Sequence, residues 1–103
     1  MLEKDFQKQV LDYAKLTGWR CCHFRGAWSK DGKRYMTPVQ GDGAGFPDLV
    51  LVRGKRLIYA ELKQDKGIAS PAQKEWLYAL TEASQEVYLW RPRDWFIIEE
   101  LLR

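Results

Sequence analysis

Cysteine and histidine are scarce: the chain holds only Cys21, Cys22 and His23. Adjacent cysteines on a strand point to opposite faces, so neither a disulfide framework nor a zinc ligand set fits them. Two buried free thiols are expected instead. No apolar run is long enough to span a membrane, and no secretory leader pattern is present; with no membrane partner implied, a cytoplasmic location is expected. Repeats, low-complexity tracts and linker-like stretches are also missing. A length of 103 residues supports one domain, residues 1–103, with a modest core. Charge of one sign is in small excess, 17 basic against 14 acidic residues for a net +3, and that total says little about partners. Its distribution says more. Arg20, Arg25, Lys30, Lys33 and Arg34 precede the acidic pair described below, and Arg53, Lys55, Arg56, Lys63 and Lys66 follow it, a clustering suited to a phosphate backbone.

Leu2, Phe6, Val10, Tyr13 and Ala14 recur at helical spacing and Gly18 follows as a stop, which predicts an amphipathic helix over residues 2–17. Trp19 to Phe24 reads as a strand. Residues 26–47 carry five glycines and no sustained period. Within them Asp31-Gly32 marks a hairpin turn between Trp28-Ser29-Lys30 and Lys33-Arg34-Tyr35. Ser70-Pro71-Ala72-Gln73 is a helix start: Ser as N-cap, Pro at the first helical position, Gln at the capping-box position. Trp76, Leu77, Leu80 and Ala83 supply that helix with an apolar stripe. Glu86 to Arg91 reads as a strand and Trp95 to Leu102 as a closing helix. The predicted order is αβββαβα, a mixed sheet flanked by helices. The strand-helix-strand passage from Tyr59 to Leu89 makes a parallel crossover.

The middle strands carry the chemistry. Val50 to Val52 and Leu57 to Lys63 are joined by Arg53-Gly54-Lys55-Arg56, and a two-residue loop with Gly54 in the first central position of a type II′ turn pairs Val52 with Leu57. Asp48 then lands opposite Glu61. Directly opposed like charges are destabilising. Alternation places Lys63 on the same face as Glu61, so two carboxylates and an ammonium converge. That set suits a hard divalent cation, Mg2+ or Mn2+, with a phosphate beside it.

These residues resemble the PD-(D/E)xK nuclease signature, and the run GFPDLVLVRGKRLIYAELKQDKGIASPAQKEWLYAL is similar to the VRR-NUC branch of that superfamily. An acidic first helix, GFPD, ELK on a hairpin partner strand and S-P-x-Q opening the next helix occur in that order. The resemblance implies a restriction-endonuclease-like core within the α/β class and a metal-dependent endonuclease acting on branched DNA such as Holliday junctions, with no small-molecule cofactor. It implies metal ligation by Asp48, Glu61 and the carbonyl of Leu62. It also brings Glu3 of the first helix towards the metal or its waters, with Asp5 as rival, and Gln73 near the active centre.

Several of these residues have plainer explanations. Glu3 in a first helical turn is stabilised there without any catalytic duty, and Gln73 is accounted for by the capping box. Lys63 either activates the attacking water or stays charged to stabilise the transition state, and two adjacent carboxylates favour the charged form. His23 reads as a strand residue rather than a general base. Arg25, Lys30, Lys33, Arg34 and Lys66 are the expected nucleic-acid contacts. Trp28 and Tyr35 either stack on bases or pack across their own hairpin. The competing functions are a non-catalytic nucleic-acid-binding module of the same fold and an accessory subunit with protein partners only. Trp95 to Ile98, four consecutive apolar residues, exceed one core-facing stripe, which suggests a homodimer interface. The alternative is a closing helix buried on two sides within one chain.

Overall fold

A computed structural model of the chain describes residues 1–24 and 40–103, and between them the backbone of 27–28 and 35–36. Helix α1 spans Glu3–Leu16 and buries Phe6, Val10 and Ala14, one residue per turn of the predicted stripe; Leu2, at its N-cap, stays exposed. Strand β1, Arg20–His23, follows. Two-residue strands β2, Ala27–Trp28, and β3, Tyr35–Met36, pair antiparallel, Trp28 with Tyr35. They form a small ribbon beside the predicted strand order; the hairpin's Asp31-Gly32 turn lies outside the described residues.

Strands β4, Leu49–Arg53, and β5, Arg56–Leu62, pair antiparallel with Val52 opposite Leu57 and Arg53 opposite Arg56. Gly54 has φ of +61° and Lys55 is not left-handed, the pattern of a type II′ turn, so the predicted register holds. Helix α2, Pro71–Glu82, leads to β6, Glu86–Trp90, which runs parallel to β5, and a short 3-10 turn at Pro92–Asp94 precedes α3, Trp95–Leu102. The main sheet has the order β1-β4-β5-β6.

Strand alternation divides the sheet. Leu49, Leu51, Ile58, Ala60, Leu62 and Trp90 point to one side and pack with Phe6, Val10, Ala14, Ile98 and Leu102, which makes the core under α1 and α3. Glu61 and Tyr59, at the intervening positions, face the other side, towards α2. Helix α2 buries no residue fully; of its expected stripe, Trp76, Leu77 and Leu80 are half-buried and Ala83 is exposed. No described helix is long and apolar enough to cross a membrane.

The thiols depart from expectation. Cys22 is exposed and Cys21 half-buried, because β1 is an edge strand and only its inward face meets the core; burial pushes the Cys21 thiol up from its ordinary value. Arg53 and Arg56 also have a different task from the one their clustering suggested. They lie at the turn end of the hairpin, about five strand residues or roughly 16 Å from Asp48. Arg53 donates to the carbonyls of Thr17, Leu102 and Arg103, and Arg56 to the carbonyl of Leu101 and the carboxylate of Glu86. Both guanidiniums lie over the Trp19 ring, at 4.5 and 5.4 Å. Their charge therefore satisfies the open carbonyls at the C-terminus of α3.

Helix α2 ends in a Schellman motif, with Ser84 N–H bonded to the carbonyl of Thr81 and Gln85 N–H to that of Leu80. Helix α1 closes in the same way through Gly18, but at α2 the left-handed position is held by Ser84, at φ +62°. Replacing Ser84 by Gly is expected to stabilise the protein by about 1 kcal/mol, the scale of the left-handed penalty on a side chain. Urea unfolding of the two proteins measures the difference.

Candidate active site

Asp48 and Glu61 reach one point from two strands. The described ladder ends at Leu49 opposite Ala60, and the next step along it brings Asp48 opposite Glu61. Asp48 is fixed at both ends: its carbonyl accepts from Phe24 N–H at 2.8 Å, and its Oδ2 accepts from the N–H of Leu62 at 3.0 Å. Leu62 itself is fully buried, facing the α1 side as a residue contributing only backbone atoms to the site would. Glu61 is 2% exposed. One of its oxygens, Oε1, accepts from Gln73 Nε2 at 3.0 Å, while Oε2 is buried with no donor among the described residues; in its protonated form the carboxyl hydrogen-bonds to the Asp48 carboxylate.

Gln73 has two tasks at once. Its Oε1 accepts from Ser70 N–H at 2.8 Å and its own N–H donates to Ser70 Oγ at 3.2 Å, the predicted capping box. Its amide nitrogen holds Glu61 at the same time, so the capping box does not prevent the side chain from reaching the carboxylate pair.

The segment before Asp48 is pressed onto the same helix turn. Gly45 has φ of +84°, and a Cβ there would lie 2.5 Å from the carbonyl carbon of Ala72 and 2.7 Å from the backbone nitrogen of Gln73. Only glycine permits that approach. Phe46 meets the rings of Phe24, Tyr59 and Trp76 edge-on at 5.8, 5.8 and 5.0 Å, and Trp76 Nε1 donates to the carbonyl of Asp42 at 2.8 Å. Asp48 and Gln73 are thereby positioned by one shared contact. Sequence reasoning quoted Gly45 within its motif and assigned it no role; its place before a bulky Phe-Pro pair was the available signal.

Electrostatically the pair is unstable as two anions. Burial, then the neighbouring Asp48 charge, push the Glu61 carboxyl up from its ordinary value to about 8, with the Lys63 ammonium acting in the opposite sense. Lys63 itself is half-buried, bonded through its backbone N–H to the carbonyl of Trp90, and its ammonium has no ion-pair or hydrogen-bond partner among the described residues.

The other expected residues lie away from this pair or outside the described residues. Glu3 is exposed in the first turn of α1, with Asp5 beside it, and the described residues contain no group of three His, Cys, Asp or Glu side chains arranged to hold an ion. His23 pairs with Leu49, which puts its side chain on the sheet face away from Asp48. Lys66 is exposed in the loop after β5. Arg25, Lys30, Lys33 and Arg34 lie outside the described residues.

A divalent cation fits what is present. Two opposed carboxylates, one with a buried oxygen that meets no donor among the described residues, are donors of the kind a Mg2+-type ion takes from a protein while waters and substrate oxygens complete its shell.

Comparison with known proteins agrees with this fold. The family model described as the VRR-NUC domain matches residues 4–93. A solved structure titled as a VRR_NUC domain protein is similar to the chain with a TM-score of 0.67 and 24% sequence identity, covering 98% of this chain and 85% of the other. No curated protein matches.

Proposed function

The chain belongs to the VRR-NUC domain family, and on that premise we propose that it is a metal-dependent endonuclease that hydrolyses DNA phosphodiester bonds, specifically at branched structures such as Holliday junctions, in the cytoplasm. The observation that carries the reading is the Glu61 carboxyl, buried against Asp48 with one oxygen meeting no donor among the described residues and its pKa pushed up to about 8. A buried acid that costs this much has a use when a cation replaces its proton.

Asp48, Glu61 and the carbonyl of Leu62 would hold Mg2+ or Mn2+. When bound, the ion polarises a water and offsets charge on the scissile phosphate. The chain's own groups do the rest. Gln73 occupies Oε1 of Glu61, which leaves Oε2 as the ligating oxygen. Leu62 N–H holds Asp48 Oδ2 and so sets the direction of its other oxygen. Lys63, which has no partner among the described residues, would face the phosphate as a charged clamp for the transition state. Glu3 is the further residue whose contribution this reading includes.

The test is incubation with linear duplex, single-stranded, flapped and four-way junction DNA in Mg2+, in Mn2+ and in chelator. Metal-dependent cutting with a preference for the branched substrates is expected. Binding to all four without cutting in either metal would assign the protein to the non-catalytic class.

The reading includes a homodimer. Of the four apolar residues opening α3, Trp95 packs edge-on against Tyr13 and Ile98 is buried, whereas Phe96 is 82% and Ile97 57% exposed. A helix buried on two sides within one chain does not leave such a face. Two active sites related by a two-fold axis match the paired cuts that a four-way junction requires. Phe96→Asp is expected to yield monomers in analytical ultracentrifugation across the micromolar range, against a wild-type dimer. A wild type that is monomeric throughout, with specific activity independent of concentration, refutes the dimer.

A further inference from the structure

The loop that carries Lys63 away from β5 has a rigid mount. Gly67 N–H bonds to the carbonyl of Gln64 at 3.0 Å and closes a turn. Arg91, reaching from the end of β6, places its Nη1 on the carbonyls of both Gln64 and Gly67, at 2.7 and 2.6 Å. The carboxylate of Asp65 accepts from Arg93 N–H at 3.1 Å. The segment from Arg91 to Arg93 thus holds the loop through three hydrogen bonds, besides the turn's own. What the mount displays is Ile68, 82% exposed, next to Ala69, which is 8% exposed. The small side chain is turned inward and the large one outward.

Single exposed aliphatic residues are ordinary; this one is set apart by its mount and its position. Ile68 is two residues from Ser70, hence within about 7.6 Å along the chain of the capping box whose Gln73 holds Glu61. Lys66 is exposed on the same turn, and Lys63 precedes it. An apolar tip with cations beside it, two residues from the capping box that holds Glu61, matches the way proteins open DNA: basic groups take the phosphates, and an aliphatic side chain enters a base step.

We propose that the Gln64–Ala69 loop is a rigid DNA-contacting finger in which Lys66 binds a backbone phosphate and Ile68 wedges into the base step beside the scissile bond. The inference rests on the nuclease reading and adds to it the source of preference for branched DNA. At a branch the stacking is already interrupted, so entry of Ile68 is cheapest there.

The experiment uses the full chain and junction DNA carrying 2-aminopurine next to the mapped cut, with Ca2+ in place of Mg2+ during binding. Wild-type protein is expected to raise the fluorescence as the base unstacks. Ile68→Ser is expected to lose that rise and about tenfold of the branched-over-linear preference in kcat/KM, the lower end of what burying an isoleucine is worth, with thermal stability unchanged. Ile68→Leu retains both. Lys66→Ala weakens binding and lowers the salt slope by about one, yet reaches wild-type fluorescence at saturation. An Ile68→Ser protein with wild-type fluorescence and preference, or one whose losses follow from a lowered Tm, overturns the wedge while wild-type cutting leaves the nuclease reading in place. A wild type that neither binds nor cuts any branched DNA overturns both.

Discussion

Glu61→Gln is expected to abolish cleavage and, at the same time, to make the metal-free protein more stable. The two effects share one cause. Glutamine keeps the acceptor that Gln73 Nε2 uses and removes the ionisable group that burial and Asp48 disfavour. Loss of a carboxylate ligand removes several kcal/mol of transition-state charge stabilisation, so activity is expected to fall by roughly a thousandfold or more. The stability gain depends on pH, with a definite sign. A carboxyl whose folded-state pKa is raised to about 8 contributes most below its ordinary value near 4.5 and loses that contribution as pH rises through 8. The variant and the wild type should therefore be equally stable in acid, diverge between about pH 4.5 and 8, and differ by on the order of 4 kcal/mol above that. Thermal unfolding in chelator across this range tests the claim; a Glu61→Gln protein less stable than wild type at pH 8 contradicts it.

Gly45→Ala is expected to damage fold and site together. A methyl group at that position would sit 2.5 Å from Ala72 backbone carbon, and the φ of +84° is itself strained for alanine. The clash is with backbone and cannot be relieved by rotating a side chain. Either the Gly45–Asp48 segment lifts away from α2, or the first turn of α2 shifts and takes Gln73 off Glu61. A loss of about 3 kcal/mol or more is expected from overpacking and strain combined, together with weaker metal binding. Unfolding in urea and a metal titration on the surviving folded fraction measure both; a variant with wild-type stability would show that the close approach is not required.

The parts of this protein that were legible in its sequence are those written in short-range patterns. Gly54 marks a two-residue turn, and from it the whole β4–β5 register follows, including the meeting of Asp48 with Glu61. Ser70, Pro71 and Gln73 start α2 by contacts within one helical turn. Other features depend on partners far along the chain. Arg53 serves carbonyls 36 and 49 residues away, and nothing in the local sequence separates such a guanidinium from one awaiting a phosphate. Arg91 similarly acts on carbonyls of the loop after β5. The expectations for Cys22 and Ala83 fail because periodicity reports which side a residue takes and not how thickly that side is covered: β1 is an edge strand, and α2 buries no residue fully. Gly45 is a backbone-to-backbone contact, for which sequence offers only the bare fact of a glycine.

The central claim is that Asp48 and Glu61 form a divalent-cation site, and titration of metal-free protein with Mn2+ by calorimetry at pH 7, in two buffers of different protonation enthalpy, tests it most directly. The account predicts saturable binding of the ion with release of close to one proton, since the Glu61 carboxyl at about 8 is mostly protonated before the metal arrives. It also predicts a rise in Tm on binding and loss of both signals in Glu61→Gln. A wild type that shows no saturable binding and no gain in Tm, at Mn2+ concentrations that support cleavage, would contradict it.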